Sequence, residues 1–433
     1  MKGEITDSIP VDPQARESYC LYRPSGVDPT LPAPVVFVFD PSGRGRNGIT
    51  PFIEAADKYG YLIVCSNNSR NGPYEKNFGI ADRLFKKVLS EYLINRQRMY
   101  LAGFSGGGRL STALAISSNL FQGVISCGAG LSINSGFLPT TEKFSFAAII
   151  GDEDMNFSEL RHNRSYLKKI GLPSEIFTFS MDHRWPDQEH LLFAFDWLEL
   201  EAYRKALSFR DTALVKDIYI RHYRFAAERE AKKDLIGAMD SYEWILRNIT
   251  RHFNLDSIVQ KVKSIREDPA FQKQSIKLEQ VLKEEKEYTE MFVERFHDDL
   301  GKKEPRMDWW QKKLEKLKEN EQRSGEEYGK MYRRLRYKIF AWAIERAMLR
   351  EGIETDEQLI FCYDLCIAVY PKYAYAYLQQ IEIATRRNDT KIALEYLEKL
   401  LDTGFEDKEA LMGLPSFSRL KNNPKFLELT QDL

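Results

Sequence analysis

The stretch YLAGFSGGGRL, Tyr100–Leu110, decides the reading of this chain. A strongly apolar run stops at Gly103, and a lone serine, Ser105, follows among small and flexible residues. Gly103-Phe104-Ser105-Gly106-Gly107 is a G-x-S-x-G. It comes after a strand-like segment, Met99 to Ala102, and before a helical run, Arg109 to Ser117. A sharp strand-to-helix turn forces the serine backbone into a strained conformation in which side chains two residues before and after would collide; glycine at 103 and 107 removes that collision. A hydroxyl held there stands at the carboxyl edge of a sheet, above the positive end of a helix, which is the context of a nucleophile elbow. A phosphate-binding loop would carry Lys followed by Ser or Thr after its glycines, and GGGRL does not.

A serine hydroxyl is a weak nucleophile without a base, and the base needs an orienter. In this architecture the chain order is serine, acid, histidine. Of the six histidines, only His162, His183 and His190 follow Ser105 within the strand-rich region. His183 lies in SMDHRWP, directly after the strand-like EIFTFS and before a helix, where the base belongs. His190 and His162 read as surface positions on helices. The acid should follow the preceding strand, and FAAIIGDEDMNF offers Asp152, Glu153 and Asp154. The turn favours a residue reaching back over the sheet edge, hence Asp154, with Asp152 its rival. An acidic residue there also caps the following helix. For the oxyanion, the Gly106 N–H is one donor. The second is expected from DPSGRG, after the strand PAPVVFVFD. Pro41 has no N–H, so Ser42 is the candidate, then Gly43. Arg44, Arg46 and Arg109 near this edge read as solvent-exposed, with a substrate carboxylate as the alternative partner.

The chain changes character near residue 205. Before it, PAPVVFVFD (32–40), YLIVCSN (61–67), RMYLAGF (98–104), GVISCGAG (123–130), FSFAAIIG (144–151) and EIFTFS (175–180) read as strands, most of them near-continuous apolar runs. Such runs mark strands buried on both faces of a parallel sheet. Helical patterns over 79–95, 106–118, 156–170 and 187–206 alternate with them, predicting an α/β sheet covered by helices. After 205 the pattern is helical and heavily charged. In a 34-residue frame Pro371 closes one unit, and Tyr377, Ala393 and Leu397 take the aromatic, small and large positions of a tetratricopeptide-like repeat; Ala347 and Tyr363 fit the unit before. Pro415, Phe417, Leu420 and then Pro424, Phe426, Leu429 form a small duplication that reads as a cap on the helical stack. The expected domains are an N-terminal segment 1–13, an α/β catalytic domain 14–205 and an all-α domain 206–433.

At 433 residues with 43% hydrophobic content the chain suffices for two or three packed cores. Its formal net charge of −1 gives no drive toward nucleic acid or an anionic membrane surface. No apolar run approaches the ~18 residues of a membrane span. The five cysteines have neither zinc-site nor redox spacing and read as buried small hydrophobes. No metal or organic cofactor is expected. MKGEITDSIPVD lacks a signal-peptide pattern. Localisation stays open between an exported protein whose signal has been removed and a cytoplasmic one.

These residues together resemble an α/β-hydrolase, and within it the esterases of the polyhydroxybutyrate-depolymerase, feruloyl-esterase and dienelactone-hydrolase type. GFSGGGR resembles their elbow, GDED their Gly-x-x-Asp acid turn, which supports Asp154, and DHRWP their Gly-His-x-Trp-Pro base loop, with His183, Trp185 and Pro186 in place. The resemblance covers residues 14–205 and implies a bacterial protein. Two departures stand out. Asp40-Pro41 replaces the His-Gly after the third strand. Asp182 replaces the glycine before the base, where a carboxylate could raise the histidine pKa or compete with Asp154 for it.

The leading expectation is a serine hydrolase cleaving carboxylic esters through Ser105, His183 and Asp154 and an acyl-enzyme, with Ser42 and Gly106 as oxyanion donors. A peptidase or acyltransferase using the same three residues is the alternative within enzymes. A peptide-binding helical scaffold carrying a vestigial hydrolase is the alternative outside them. The expected partners are a small-molecule or glycan-linked ester and a protein or peptide in the helical groove. The chain between Ser105 and Asp154 is too short for a large lid, so the pocket should be shallow unless the later helices cover it.

Overall fold

The computed structural model describes residues 3–12, 14, 16–131, 135–140, 144–208, 211–250, 253–302, 304–349 and 355–431. Eight strands form one sheet: β1 Ile5–Asp12, β2 Glu17–Tyr22, β3 Ala33–Phe39, β4 Leu62–Ser66, β5 Ile94–Phe104, β6 Gly123–Cys127, β7 Ser145–Gly151 and β8 Ser174–Phe179. Their order is β1-β2-β4-β3-β5-β6-β7-β8. β1 and β2, and β2 and β4, pair antiparallel; every other pair is parallel. This is the mostly parallel α/β-hydrolase arrangement that the resemblance implied. The helices of this region are α1 Gly45–Ile49, α2 Ile53–Tyr59, α3 Tyr74–Glu91, α4 Gly106–Ser117, α5 Phe157–Ile170 and α6 Gln188–Arg204. β4 and β7 are buried at every position, as their unbroken apolar sequences require of strands covered on both faces.

The strand order reverses at β3. From there β4 lies on one side and β5 on the other. In open α/β sheets the crevice beyond the carboxyl ends of the strands at such a reversal is where ligands bind. Asp40, which follows β3, and Ser105, which follows β5, flank it.

Within the expected N-terminal segment 1–13, Ile5–Asp12 forms β1 at the sheet edge. The strand escaped notice because its side chains are mostly exposed and it holds Pro10, as edge strands do. β2, also unforeseen, joins β1 to the parallel strands.

The chain divides into compact units at Gln280/Val281 rather than at 205/206. The reason lies in α6. Every residue from Leu191 to Ala202 is buried, carboxylates included, so α6 needs cover on all sides. α7 Thr212–Ala231, α8 Leu235–Ile249 and α9 Asp256–Glu267 provide it. Val215, Ile218, Tyr242, Trp244, Ile245 and Ile258 belong to one apolar cluster with Phe177, Phe193 and Leu200. Buried acids fasten the layers. Asp196 accepts from Arg221 Nε (2.9 Å), meets His222 Nε2 at 3.2 Å and accepts from the Tyr59 hydroxyl. Glu199 accepts from Tyr61 (2.7 Å) and from Arg98.

The second unit begins at Val281, within α10 Pro269–Leu300, and continues with α11 Met307–Arg323, α12 Glu326–Leu349, α13 Asp356–Val369, α14 Ala374–Arg386 and α15 Thr390–Leu401, then the short α16 Lys408–Met412 and α17 Pro424–Leu429. Phe292, Trp310, Ala347, Tyr363 and their neighbours form one core, and Tyr377, Ala393, Leu397, Leu420 and Phe426 belong to another. Inside the first core Arg334 Nε donates to Glu285 (3.0 Å to Oε2), both side chains almost fully excluded from water. All five cysteines are buried. No helix among the described residues is long and apolar enough to cross a membrane.

The Asp196 cluster generates a prediction. Burial alone would raise the Asp196 carboxyl, but its bonds to His222, Arg221 and Tyr59 hold it below the usual range. Asp196→Ala leaves the buried His222 imidazole and the Tyr59 hydroxyl without their acceptor, and leaves the part-buried Arg221 with Asp217 (3.1 Å). We expect a loss of about 2–4 kcal/mol of stability, measured by urea unfolding at neutral pH; a loss below about 1 kcal/mol would mean that the cluster does not fasten α7 to α6.

Candidate active site

Ser105 is the single residue between β5 and α4. Its backbone has φ 52° and ψ −122°, a positive φ that non-glycine residues seldom adopt. The bend brings backbone onto backbone. A Cβ on Gly103 would lie 2.2 Å from the Gly107 carbonyl carbon, and one on Gly107 would lie 2.0 Å from the Phe39 oxygen. Hydrogen bonds hold the turn on both sides: Ser105 N–H donates to Cys127 O (2.8 Å), and Ser105 O accepts from Gly108 N–H (3.0 Å) and Arg109 N–H (3.2 Å).

The loops after β7 and β8 converge on this turn. They are laced together by Asp152 N–H to Phe179 O (2.9 Å) and Glu153 N–H to Met181 O (3.1 Å). His183 Nε2 lies 3.1 Å from Ser105 Oγ, and His183 Nδ1 lies 2.8 Å from Asp154 Oδ2. Asp154 is fully buried, and its other oxygen accepts from Asn156 N–H (2.8 Å). With Asp154 ionised, its carboxylate can only accept, which places the ring proton on Nδ1 and turns the Nε2 lone pair to the serine. Asp154, not Asp152, meets the imidazole. Asp182 turns outward and pairs with Arg184 (3.1 Å). His162 is exposed on α5, beside Ser158 O. His190 departs from expectation: it is partly buried, stacked on Phe179 with ring centroids 4.0 Å apart.

Aromatic rings support the base loop. Phe104, the variable residue before the serine, lies 4.7 Å from the His183 ring and 5.4 Å from Trp185. Trp185 Nε1–H donates to Asp40 Oδ2 (3.0 Å). Asp40 is buried, and its Oδ1 accepts from Ser42 N–H (2.9 Å) and Arg44 N–H (3.2 Å). The expected second oxyanion donor is therefore corrected. Ser42 N–H is held by the Asp40 carboxylate, and Gly43 N–H donates to Asp40 O (3.0 Å). The aspartate that stands where the resembled family has His draws the loop amides back onto itself. Gly106 differs, because as the first residue of α4 its N–H has no acceptor within the helix. Arg109, expected at the solvent edge, is instead held by Glu159 through two bonds of 2.6 Å. Arg44 reaches Asp40 at 3.5 Å, and Arg46 is exposed.

Sequence reading missed Asp40 as a hub and missed the loop after β4, SNNSRNGP. There the buried Asn77 of α3 accepts from Ser69 Oγ (3.0 Å) and Arg70 N–H (3.2 Å) and donates to Arg70 O (2.9 Å). The density of Asn and Ser, which bond locally to backbone, was the available signal.

No protein-family model matches the chain, and no curated protein matches it. Among solved structures it is similar to an S-formylglutathione hydrolase from Staphylococcus aureus, at 13% identity over 46% of this chain and 98% of that one, TM-score 0.38. It is likewise similar to an esterase from the archaeon Pyrobaculum calidifontis, at 14% identity over 48% and 88%, TM-score 0.38. A third is an esterase from Mycobacterium marinum, at 16% identity over 44% and 79%, TM-score 0.37. The chemistry open to this chain is set by the side-chain geometry of its own site.

Burial raises the Asp154 carboxyl above its ordinary range, against the opposing pull of His183 and of the Asn156 N–H. Its contribution to stability is then full below the unfolded carboxyl pKa and declines as pH rises through the raised folded value. Asp154→Asn carries no such titration. The melting temperature of that variant minus wild type should therefore increase from about pH 4 to about pH 7; a flat or falling difference would contradict the sign.

Proposed function

We propose that this chain is a serine hydrolase of carboxylic esters. The observation that carries the reading is the unbroken relay from Asp154 Oδ2 through the His183 ring to Ser105 Oγ, with steps of 2.8 and 3.1 Å. Both lie within the reach that general-base activation of a hydroxyl requires. His183 Nε2 takes the Ser105 proton as Oγ attacks the ester carbonyl carbon. The carbonyl electron pair moves onto oxygen, beside the Gly106 N–H. Asp154 holds the imidazole in the tautomer that can do this and stabilises the imidazolium. The tetrahedral intermediate collapses, His183 gives its proton to the departing alkoxide, and an acyl group remains on Oγ. Water, deprotonated by the same nitrogen, then releases the acid and restores the serine. An ester demands less of this set than an amide, because an alkoxide leaves more readily than an amine.

Turnover of p-nitrophenyl acetate tests the proposal. Ser105→Ala should lose roughly 10⁶ in kcat. Asp154→Asn should lose roughly 10⁴ in kcat, since its amide stabilises the wrong tautomer. Retention of activity by Ser105→Ala would overturn the reading.

A further inference from the structure

We propose that the side-chain amide of Asn71 is the second donor of the oxyanion hole. The inference rests on the serine-hydrolase reading and names a residue that reading does not need. Two donors are the usual requirement for a developing alkoxide in acyl transfer. In this chain the loop after β3 does not offer the second, because Ser42, Gly43 and Arg44 all direct their N–H groups at Asp40. The loop after β4 fills the gap. The Asn71 carboxamide lies directly against Gly106. A Cβ built on Gly106 would be 1.9 Å from Asn71 Oδ1, 2.8 Å from Cγ and 3.2 Å from Nδ2. The amide thus sits on the residue whose own N–H is the first donor, one position from the nucleophile.

Two further observations suit it to the role. Asn71 is exposed, and its side chain makes no hydrogen bond to any described residue, so its two N–H donors are available. Its backbone is nonetheless fixed. Asn71 N–H donates to Pro41 O at 2.8 Å, tying the loop after β4 to the loop after β3. The preceding residue, Arg70, is clamped at both N–H and C=O by the buried Asn77. An amide with unused donors on a fixed backbone can turn toward a charge that forms during reaction. Oδ1 is the atom nearest Gly106; a half-turn about Cβ–Cγ puts Nδ2–H in the same place without changing the shape of the group, and a negatively charged oxygen selects that orientation.

The test measures the rate at which a fluorophosphonate, whose phosphoryl oxygen enters the oxyanion hole, modifies Ser105 in the full chain, alongside kcat and KM for p-nitrophenyl acetate. Asn71→Ala should slow both phosphonylation and kcat by about 10²–10³ with KM within about threefold of wild type. Asn71→Asp, of the same shape but with a carboxylate facing the oxyanion, should be at least as slow. Melting curves accompany both, and the Asp variant decides the matter if the Ala variant is poorly folded. Rates within about threefold of wild type in both variants, or an effect confined to KM, would overturn the Asn71 proposal alone. Failure of the wild-type chain to be labelled at Ser105 and to turn over ester would overturn the hydrolase reading and this inference with it.

Discussion

At Ser105 the chain passes from β5 into α4 through a left-handed backbone conformation, and the rest of the site is arranged around that bend. Such a conformation costs on the order of 1–3 kcal/mol and persists only where its surroundings over-determine it. Here they do. The neighbouring strand supplies an acceptor at Cys127, the first turn of α4 closes on the serine carbonyl, and backbone contacts at Gly103 and Gly107 leave no room for a side chain. The strain is confined to one residue, and its product is a hydroxyl at the reversal of strand order, within reach of loops from β7 and β8.

The convergence on that hydroxyl depends on loops being tied to one another as much as to the sheet. The acid and base loops share backbone hydrogen bonds at Phe179 and Met181. The base loop is bound to the loop after β3 through Trp185 and Asp40. That loop in turn accepts the Asn71 N–H through Pro41. Loops from four strands are thus linked in one chain of contacts. Asp40 stands at its centre, which accounts for a buried carboxylate where the resembled esterases carry a histidine.

Much of this was legible in the sequence, for physical reasons that differ by element. β3, β4, β6 and β7 were visible because strands buried on both faces must be almost wholly apolar, and β5 through its buried second half. Ser105, His183 and Asp154 were visible because an elbow, an acid turn and a base loop each leave a local signature, and the structure sets these three side chains within hydrogen-bond distance of one another. β1 escaped because an edge strand keeps polar residues and a proline. The extent of the first compact unit escaped because α6 looks like the closing helix of an α/β domain; only its partners Arg221 and His222, which lie outside the expected domain, show that Asp196 is an inner residue. Asp40 and Asn77 escaped because a side chain that organises loop backbone is recognisable only once the loop conformation is known.

The central claim is that the Ser105 hydroxyl is the nucleophile, held ready by its own strained backbone. The structure of the chain after reaction with a phosphonate ester tests it most directly. The account predicts a covalent bond from Ser105 Oγ to phosphorus, the phosphoryl oxygen directed at the Gly106 N–H, and a Ser105 backbone still in the left-handed region. Phosphorus on another side chain, or an unmodified Ser105 in a protein that hydrolyses esters, would contradict it.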